Sequence, residues 1–350
     1  MKRRTKVLNY FIKTLNGMAY GLFSTLIIGV IIRQIGIYTG FDPIFHLGLT
    51  LMGFMGIGIG LGVAWSLDLK GLSLIAGAVA GGIATSLPIL LSAFTYGIDL
   101  TNINIGADPV VAYLTSIAAI EGLRLILRKK TPLDIILIPL ISAFIAFGVV
   151  LIIGIPVATT MSLIGDFVQH ATTYQPFIMG IIIAVIMGMA LTAPISSAAI
   201  AISIGLSGIA GGAAVVGGAV QMIGFAVMSR KDNNIGTVIS VAIGTSMLQF
   251  KNILRKPIIW LPTIIVSAIL GPVSTMLFKI QTDFTGSGMG TSAGIGQFAT
   301  IQAMGSSGSV WLMILVLHIV LPIVLVFGLD TLFRKKGLIK EGDLSLKTNE

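Results

Sequence analysis

The chain has 350 residues, is 55% hydrophobic with a mean hydropathy of +1.02, and is only 10% charged, against roughly 25% in ordinary soluble domains. Residues 167–229 contain no Asp, Glu, Lys or Arg; a soluble core does not need that and a bilayer does, so the composition reads as an integral membrane protein. The net charge of +9 and pI of 9.8 do not indicate a nucleic-acid partner, because the basic residues flank apolar stretches instead of clustering on a soluble face.

The basic opening, 1–13, runs into an apolar stretch at 15–32 without a small-x-small cleavage site, which predicts a retained first helix and no cleavable signal. A crossing helix takes about 20 apolar residues. Candidates lie at 15–35, 46–66, 71–95, 109–127, 133–154, 176–193, 196–209, 211–228, 257–278 and 309–328. The short one at 196–209 reads equally as half of a re-entrant element. Placing both termini in the cytoplasm puts 20 of the 22 basic residues inside and leaves only Arg33 and Lys279 near the other face, as the positive-inside rule requires. The expected fold is therefore an all-α polytopic membrane protein of about ten transmembrane helices with re-entrant hairpins, N-in and C-in.

Three further stretches do not read as plain spans. Residues 155–173 are interrupted by Pro156, Gly165, Asp166 and His170; 235–250 is too short to cross; 286–308 holds seven glycines. Irregular backbone at membrane depth is tolerated only inside protein or beside a water-filled cavity, so all three are expected as hairpins lining a polar chamber. The glycine runs at 56–62, 77–82 and 211–218 read as close helix packing and not as nucleotide loops, because no strand precedes them.

Ionisable groups within the apolar stretches are few. Glu121 and Arg124 share a helical face, as an ion pair near the interface or as a gate. His318 lies centrally in the last helix, either donating to a neighbouring helix or bonding a substrate. Asp166 and His170, four apart, form a pair or lie in an outer loop. Neutral polar residues are more numerous: Gln221 in a small-residue helix, Gln249 at the end of one broken segment, Thr291, Ser292 and Gln297 in another, and Thr192, Ser196 and Ser197 around the Ala193-Pro194 break. Amides and hydroxyls beside exposed backbone suit a polyhydroxy ligand; the other reading is interhelical glue. GTSMLQ at 244–249 and GTSAGIGQ at 290–297 share a Gly-Thr-Ser start and a later Gln, the pattern of paired discontinuous elements facing one site. With no cysteine there is no disulfide, no thiolate metal site and no phosphocysteine. No cofactor and no metal are expected.

The run LTAPISSAAIAISIGLSGIAGGAAVVGGAVQMIGFAVMS (191–229), with GTSMLQFKNILRKP (244–257), GPVSTMLFK (271–279) and GSGMGTSAGIGQ (286–297), resembles the phosphotransferase-system (PTS) enzyme IIC family of the second type, which includes stand-alone members named as toxin-gene regulators. The resemblance covers nearly the whole chain. It implies a bacterial inner-membrane sugar permease that moves a sugar inward with cytoplasmic IIA and IIB carriers, as a homodimer whose elevator-like transport region packs on a scaffold. On that pattern 1–154 is mainly scaffold, 155–308 the hairpin-rich transport region, 309–333 the last helix and 334–350 a cytoplasmic tail, all in one membrane-embedded domain. Glucose-type members carry a Thr-Glu-Pro turn whose acid contacts the sugar; if Thr192-Ala193-Pro194 corresponds, Ala193 stands in its place. After Arg334 only 16 residues remain (335–350), so phosphoryl supply is expected from other polypeptides or not at all. A permease that does not phosphorylate and a membrane ligand sensor remain alternatives.

Overall fold

The computed structural model describes residues 2–86, 108–127, 131–195 and 197–346. Ser196, residues 128–130, Lys347 and the second half of the expected span at 71–95 lie outside the described residues. Among those described the chain is helical, and the one β-type pairing is an isolated bridge between Gly208 and Thr282. Six helices are long and apolar enough to cross a membrane: Asn9–Thr39, Pro109–Ile126, Asp134–Gly154, Gly208–Ser229, Pro257–Phe278 and Gly308–Lys335. A seventh arises if the pair Asp42–Gly53 and Met55–Ser66, bent by 48° at Phe54, counts as one. Leu72–Thr85 and Pro176–Thr192 are apolar but shorter. The chain divides into two compact units, Met1–Met161 and Ser162–Glu350.

In the first unit α1 (Lys2–Leu22), α2 (Ile28–Thr39), α3 (Asp42–Gly53), α4 (Met55–Ser66), α5 (Leu72–Thr85) and α6 (Pro109–Ile126) follow in order. Two reciprocal four-residue glycine spacings bring backbones together. A Cβ on Gly17 would sit 2.1 Å from the Gly62 carbonyl oxygen and one on Gly21 2.0 Å from that of Gly58; α4 meets α5 the same way at Gly56/Gly81 and Gly60/Gly77. In a bilayer, where lipid is as apolar as Leu, close backbone approach is what holds helices together, and the glycine runs at 56–62 and 77–82 serve that purpose.

The helix α7 (Asp134–Ala171) is 38 residues long and runs unbroken through Pro139 and Pro156. At 1.5 Å per residue it reaches about 57 Å, well beyond the hydrocarbon thickness of about 30 Å. The hairpin expected over 155–173 is therefore absent: helix persists to Ala171. A proline removes one ladder bond and does not by itself stop a helix packed in an apolar setting. Asp166 and His170 both face out from this helix. Large apolar side chains such as Phe144 and Ile152 are 69% and 74% exposed, a surface suited to lipid.

The second unit is built around α10 (Gly208–Ser229), whose residues are nearly all buried. Preceding it are α8 (Pro176–Thr192) and the seven-residue α9 (Ser197–Ser203); following it come α11 (Ile235–Ile239), α12 (Phe250–Arg255), α13 (Leu261–Pro272), α14 (Phe284–Ser287), α15 (Ile295–Met304), α16 (Gly308–Ile314) and α17 (Leu321–Lys335). A Cβ on Gly217 would lie 1.9 Å from the Ala184 carbonyl oxygen, so α10 and α8 touch backbone to backbone. Val216, Val220, Phe225 and Met228 of α10 share one core with Val266, Leu270, Leu317 and Val326. Ser197–Ser203 is one short helix, while 235–250 and 284–304 are broken: 235–239 passes into a π-type turn over Ser240–Gly244 and a 3-10 turn over Ser246–Gln249, and 284–287 is separated from 295–304 by a 3-10 turn at Ser292–Gly294.

Candidate functional site

The breaks converge on one polar cluster. Helix α8 stops at Thr192 because Pro194 cannot continue it and Ala193 is extended (φ −69°, ψ 158°). Thr192 is fully buried; its hydroxyl lies 2.8 Å from Ser246 Oγ and 3.2 Å from Gln221 Oε1. That same Oε1 accepts the Trp260 indole N–H at 3.0 Å and lies 3.0 Å from the Thr263 hydroxyl. Trp260 can only donate, so the amide orientation is fixed with its oxygen toward Trp260. Gln221 Nε2 then points elsewhere, is buried, and has no partner among the described residues.

The two Gly-Thr-Ser segments face each other. Thr291 donates to the Ala242 carbonyl at 2.6 Å and Ser292 to the Gly244 carbonyl at 2.9 Å, satisfying the open carbonyls at the end of the π-type turn. On the other strand of the pair, Thr245 caps Met247 N and Ser246 meets Thr192. Ser197 donates to the Gly288 carbonyl at 2.7 Å. Gly290 (φ 53°) lies against Gly218, where a Cβ would meet backbone carbon at 2.7 Å, and Ala293 takes the left-handed conformation (φ 49°) that a non-glycine residue seldom adopts.

A second pair lies alongside. Gln297, in the first turn of α15, has Nε2 3.3 Å from His318 Nδ1. Donation by the amide makes Nδ1 the acceptor and places the imidazole proton on Nε2. That atom is buried and unpartnered, and so is Gln297 Oε1. His318 is fully buried and sits in a π-type turn, Leu315–Val320, inside the last span, a local widening often found at functional positions. Both α15 and this turn touch α10.

Of the residues singled out from sequence, Thr192, Gln221 and Ser246's neighbours Thr291 and Ser292 come together, Gln297 pairs with His318, and Ser197 fastens α9 to 288. Gln249 is used otherwise: its Nε2 donates to the Leu344 carbonyl at 3.0 Å and its Oε1 accepts from Asn252 at 2.7 Å, so its amide is occupied by the chain. Glu121 and Arg124 form an ion pair at 2.6 Å, about 40% exposed, joined by the Tyr10 hydroxyl at 2.7 Å; this is a helix-end pair belonging to the first unit. Trp260 and Thr263 were not anticipated, since one apolar-looking PIIWLPT stretch carries no local polar pattern.

The cluster's chemistry is uncharged. Its named members supply amide and hydroxyl groups, an indole N–H and an imidazole, and no carboxylate. Each buried polar atom without a partner costs on the order of 1–3 kcal/mol, and Gln221 Nε2, Gln297 Oε1 and His318 Nε2 are three such atoms among the described residues. Among the described residues no group of three or more His, Cys, Asp or Glu is placed to hold a metal.

These features define a multi-pass helical membrane protein with a buried, neutral polar cluster among broken helices. The sequence profile of the family described as phosphotransferase system, EIIC, matches residues 12–346, and the chain belongs to that family. It is thus a PTS membrane domain of the EIIC type, the sugar-permease class of subunit, which works with IIA and IIB components. Comparison with curated proteins and with solved structures gives no match.

Proposed function

We propose that the chain is the membrane subunit that binds a neutral, polyhydroxy sugar at the Thr192–Gln221–Ser246 cluster and carries it inward across a bacterial plasma membrane. The observation that carries this reading is Gln221: a fully buried amide whose oxygen is saturated and whose nitrogen is free to donate, at the meeting point of two helix breaks. Gln297 and His318 supply a further acceptor and donor.

The remaining organisation follows the same proposal. Ten crossings, with the bent pair, the shorter apolar helices Leu72–Thr85 and Pro176–Thr192 and the short stretch 196–209 each counted as one span beside the six long helices, place both termini inside. Residues 1–154 act mainly as scaffold and 155–308 as the transport region in a homodimer, with the continuous helix over 134–171 replacing the first expected hairpin. The basic stretches 124–132 and 230–256 face the cytoplasm and steer acidic carrier surfaces.

Vesicles supplied with phosphoenolpyruvate and the general carriers test it. Intravesicular sugar phosphate is the expected product. Uptake of unmodified sugar would select a permease that does not phosphorylate, a reading that Ala193 and the absence of a carboxylate among the cluster's members favour. No uptake, with ligand-dependent change in a partner's activity, would select a sensor.

A further inference from the structure

The segment after α17 is docked with unusual thoroughness. Gly337 (φ 70°) turns the chain back, Ile339 is 1% and Leu344 0% exposed, and Leu344 shares the apolar core with Val241 and Ile253. The Leu344 carbonyl accepts from Asn233 Nδ2 at 2.8 Å and from Gln249 Nε2 at 3.0 Å. Those two residues flank the broken segment that carries Gly244, Thr245 and Ser246. Asn252 Nδ2 donates to the Ser345 carbonyl, Lys256 pairs with Asp343, and Asp232 accepts from the Gly342 and Leu344 amides, so both sides of the broken segment are tied to one strap. The Leu346 amide adds a bond to Asn233 Oδ1 at 2.7 Å.

We propose that residues 337–346 are a positioning strap: by fastening 232–234 to 249–256 they hold the intervening broken segment in the register that places Ser246 on Thr192 and Gly244 on Ser292. The role in ligand binding rests on the site assigned above; the strap itself does not. Helix α11 is only five residues long and passes into a π-type turn, and an isolated helix of that length has no stability of its own. Thr291, Ser292 and Thr192 bond the middle of the segment, and one carbonyl, that of Leu344, holds both of its ends.

The cysteine-free sequence allows a direct test. Ser246→Cys is introduced into the full chain and into a chain ending at Lys336, and labelling by a membrane-permeant maleimide is timed in both. Ser267→Cys, fully buried in α13, serves as the control. The strap predicts that shortening the chain speeds labelling at 246 by about tenfold or more, leaves 267 slow, and is reversed by adding the 337–350 peptide. Unchanged labelling at 246 overturns the proposal. Equal acceleration at 246 and 267 also overturns it, because the segment would then support the whole unit and not this element. Sugar uptake by the full chain is scored separately: its absence alongside selective labelling would remove the ligand assignment and leave the strap standing.

Discussion

The Thr192 and Ser246 hydroxyls lie 2.8 Å apart across 54 positions of sequence. One ends the apolar helix α8, where it also reaches the Gly188 carbonyl at 3.3 Å, and the other begins a 3-10 turn. Their meeting, with Gln221 Oε1 beside them, makes a polar floor inside an apolar unit.

Replacing Gln221 with Leu removes the common acceptor and leaves the indole N–H of half-buried Trp260 without its partner. The expected cost is about 1–3 kcal/mol, read as a lower midpoint of thermal unfolding in detergent. An unchanged midpoint would mean that the three contacts to Oε1 contribute nothing.

Gln297→Leu tests binding and stability together. Its Oε1 has no partner among the described residues, but its Nε2 donates to buried His318 Nδ1, so the folded protein loses about 1 kcal/mol while sugar binding weakens by roughly 1–3 kcal/mol. Gln249→Leu has a different signature: lost bonds to Leu344 and Asn252, lower stability, and no change in which sugars are preferred. Binding titrations on folded variants decide, and normal affinity in Gln297→Leu excludes that amide from the site.

Gly290→Val should fail to fold properly. The position has positive φ, and a side chain would press on the backbone of Gly218, so strain and overpacking together come to about 2–5 kcal/mol. The measure is the yield of monodisperse protein; a Val variant as abundant and stable as the parent contradicts the close approach.

Lys251 is 7% exposed, and burial, reinforced by Arg255, pulls its amine down to about 8. The folded value lies below the ordinary one, so between about pH 8 and 10.4 the unfolded chain binds more protons and stability rises with pH; below pH 8 the full cost of burying the charge is present. Lys251→Met should therefore raise the unfolding midpoint at pH 7 by an amount equivalent to about 3 kcal/mol, with the gap narrowing as pH approaches 10. A constant gap across that range would assign the effect to packing.

Asp330 is fully buried and pairs with Arg230 at 3.0 Å and Arg334 at 2.8 Å, joining the end of α10 to α17. Asp330→Asn leaves Arg230 without its counter-charge and Arg334 with Asp232 alone, 3.9 Å away, and is expected to destabilise by about 3–5 kcal/mol, seen as loss of folded protein at temperatures the parent survives.

Hydropathy and charge alone determined that this chain lives in a bilayer, where its principal spans run, and that 235–250 and 286–308 break, because these depend on which residues are near in sequence. The glycine spacings declared close packing for the same reason. Tertiary structure decided the rest. Gln221 and Gln249 look alike in sequence, yet one presents a free amide nitrogen in the interior and the other is consumed by Leu344, nearly a hundred positions away. Pro156 looked like a break and became part of a long helix, since one missing ladder bond weighs little against an apolar surrounding. The two Gly-Thr-Ser segments hinted at a pairing, but only the folded backbone shows that the hydroxyls of one satisfy the carbonyls of the other. A hydrogen bond is specified by position in space, and no local pattern records who arrives from elsewhere to complete it.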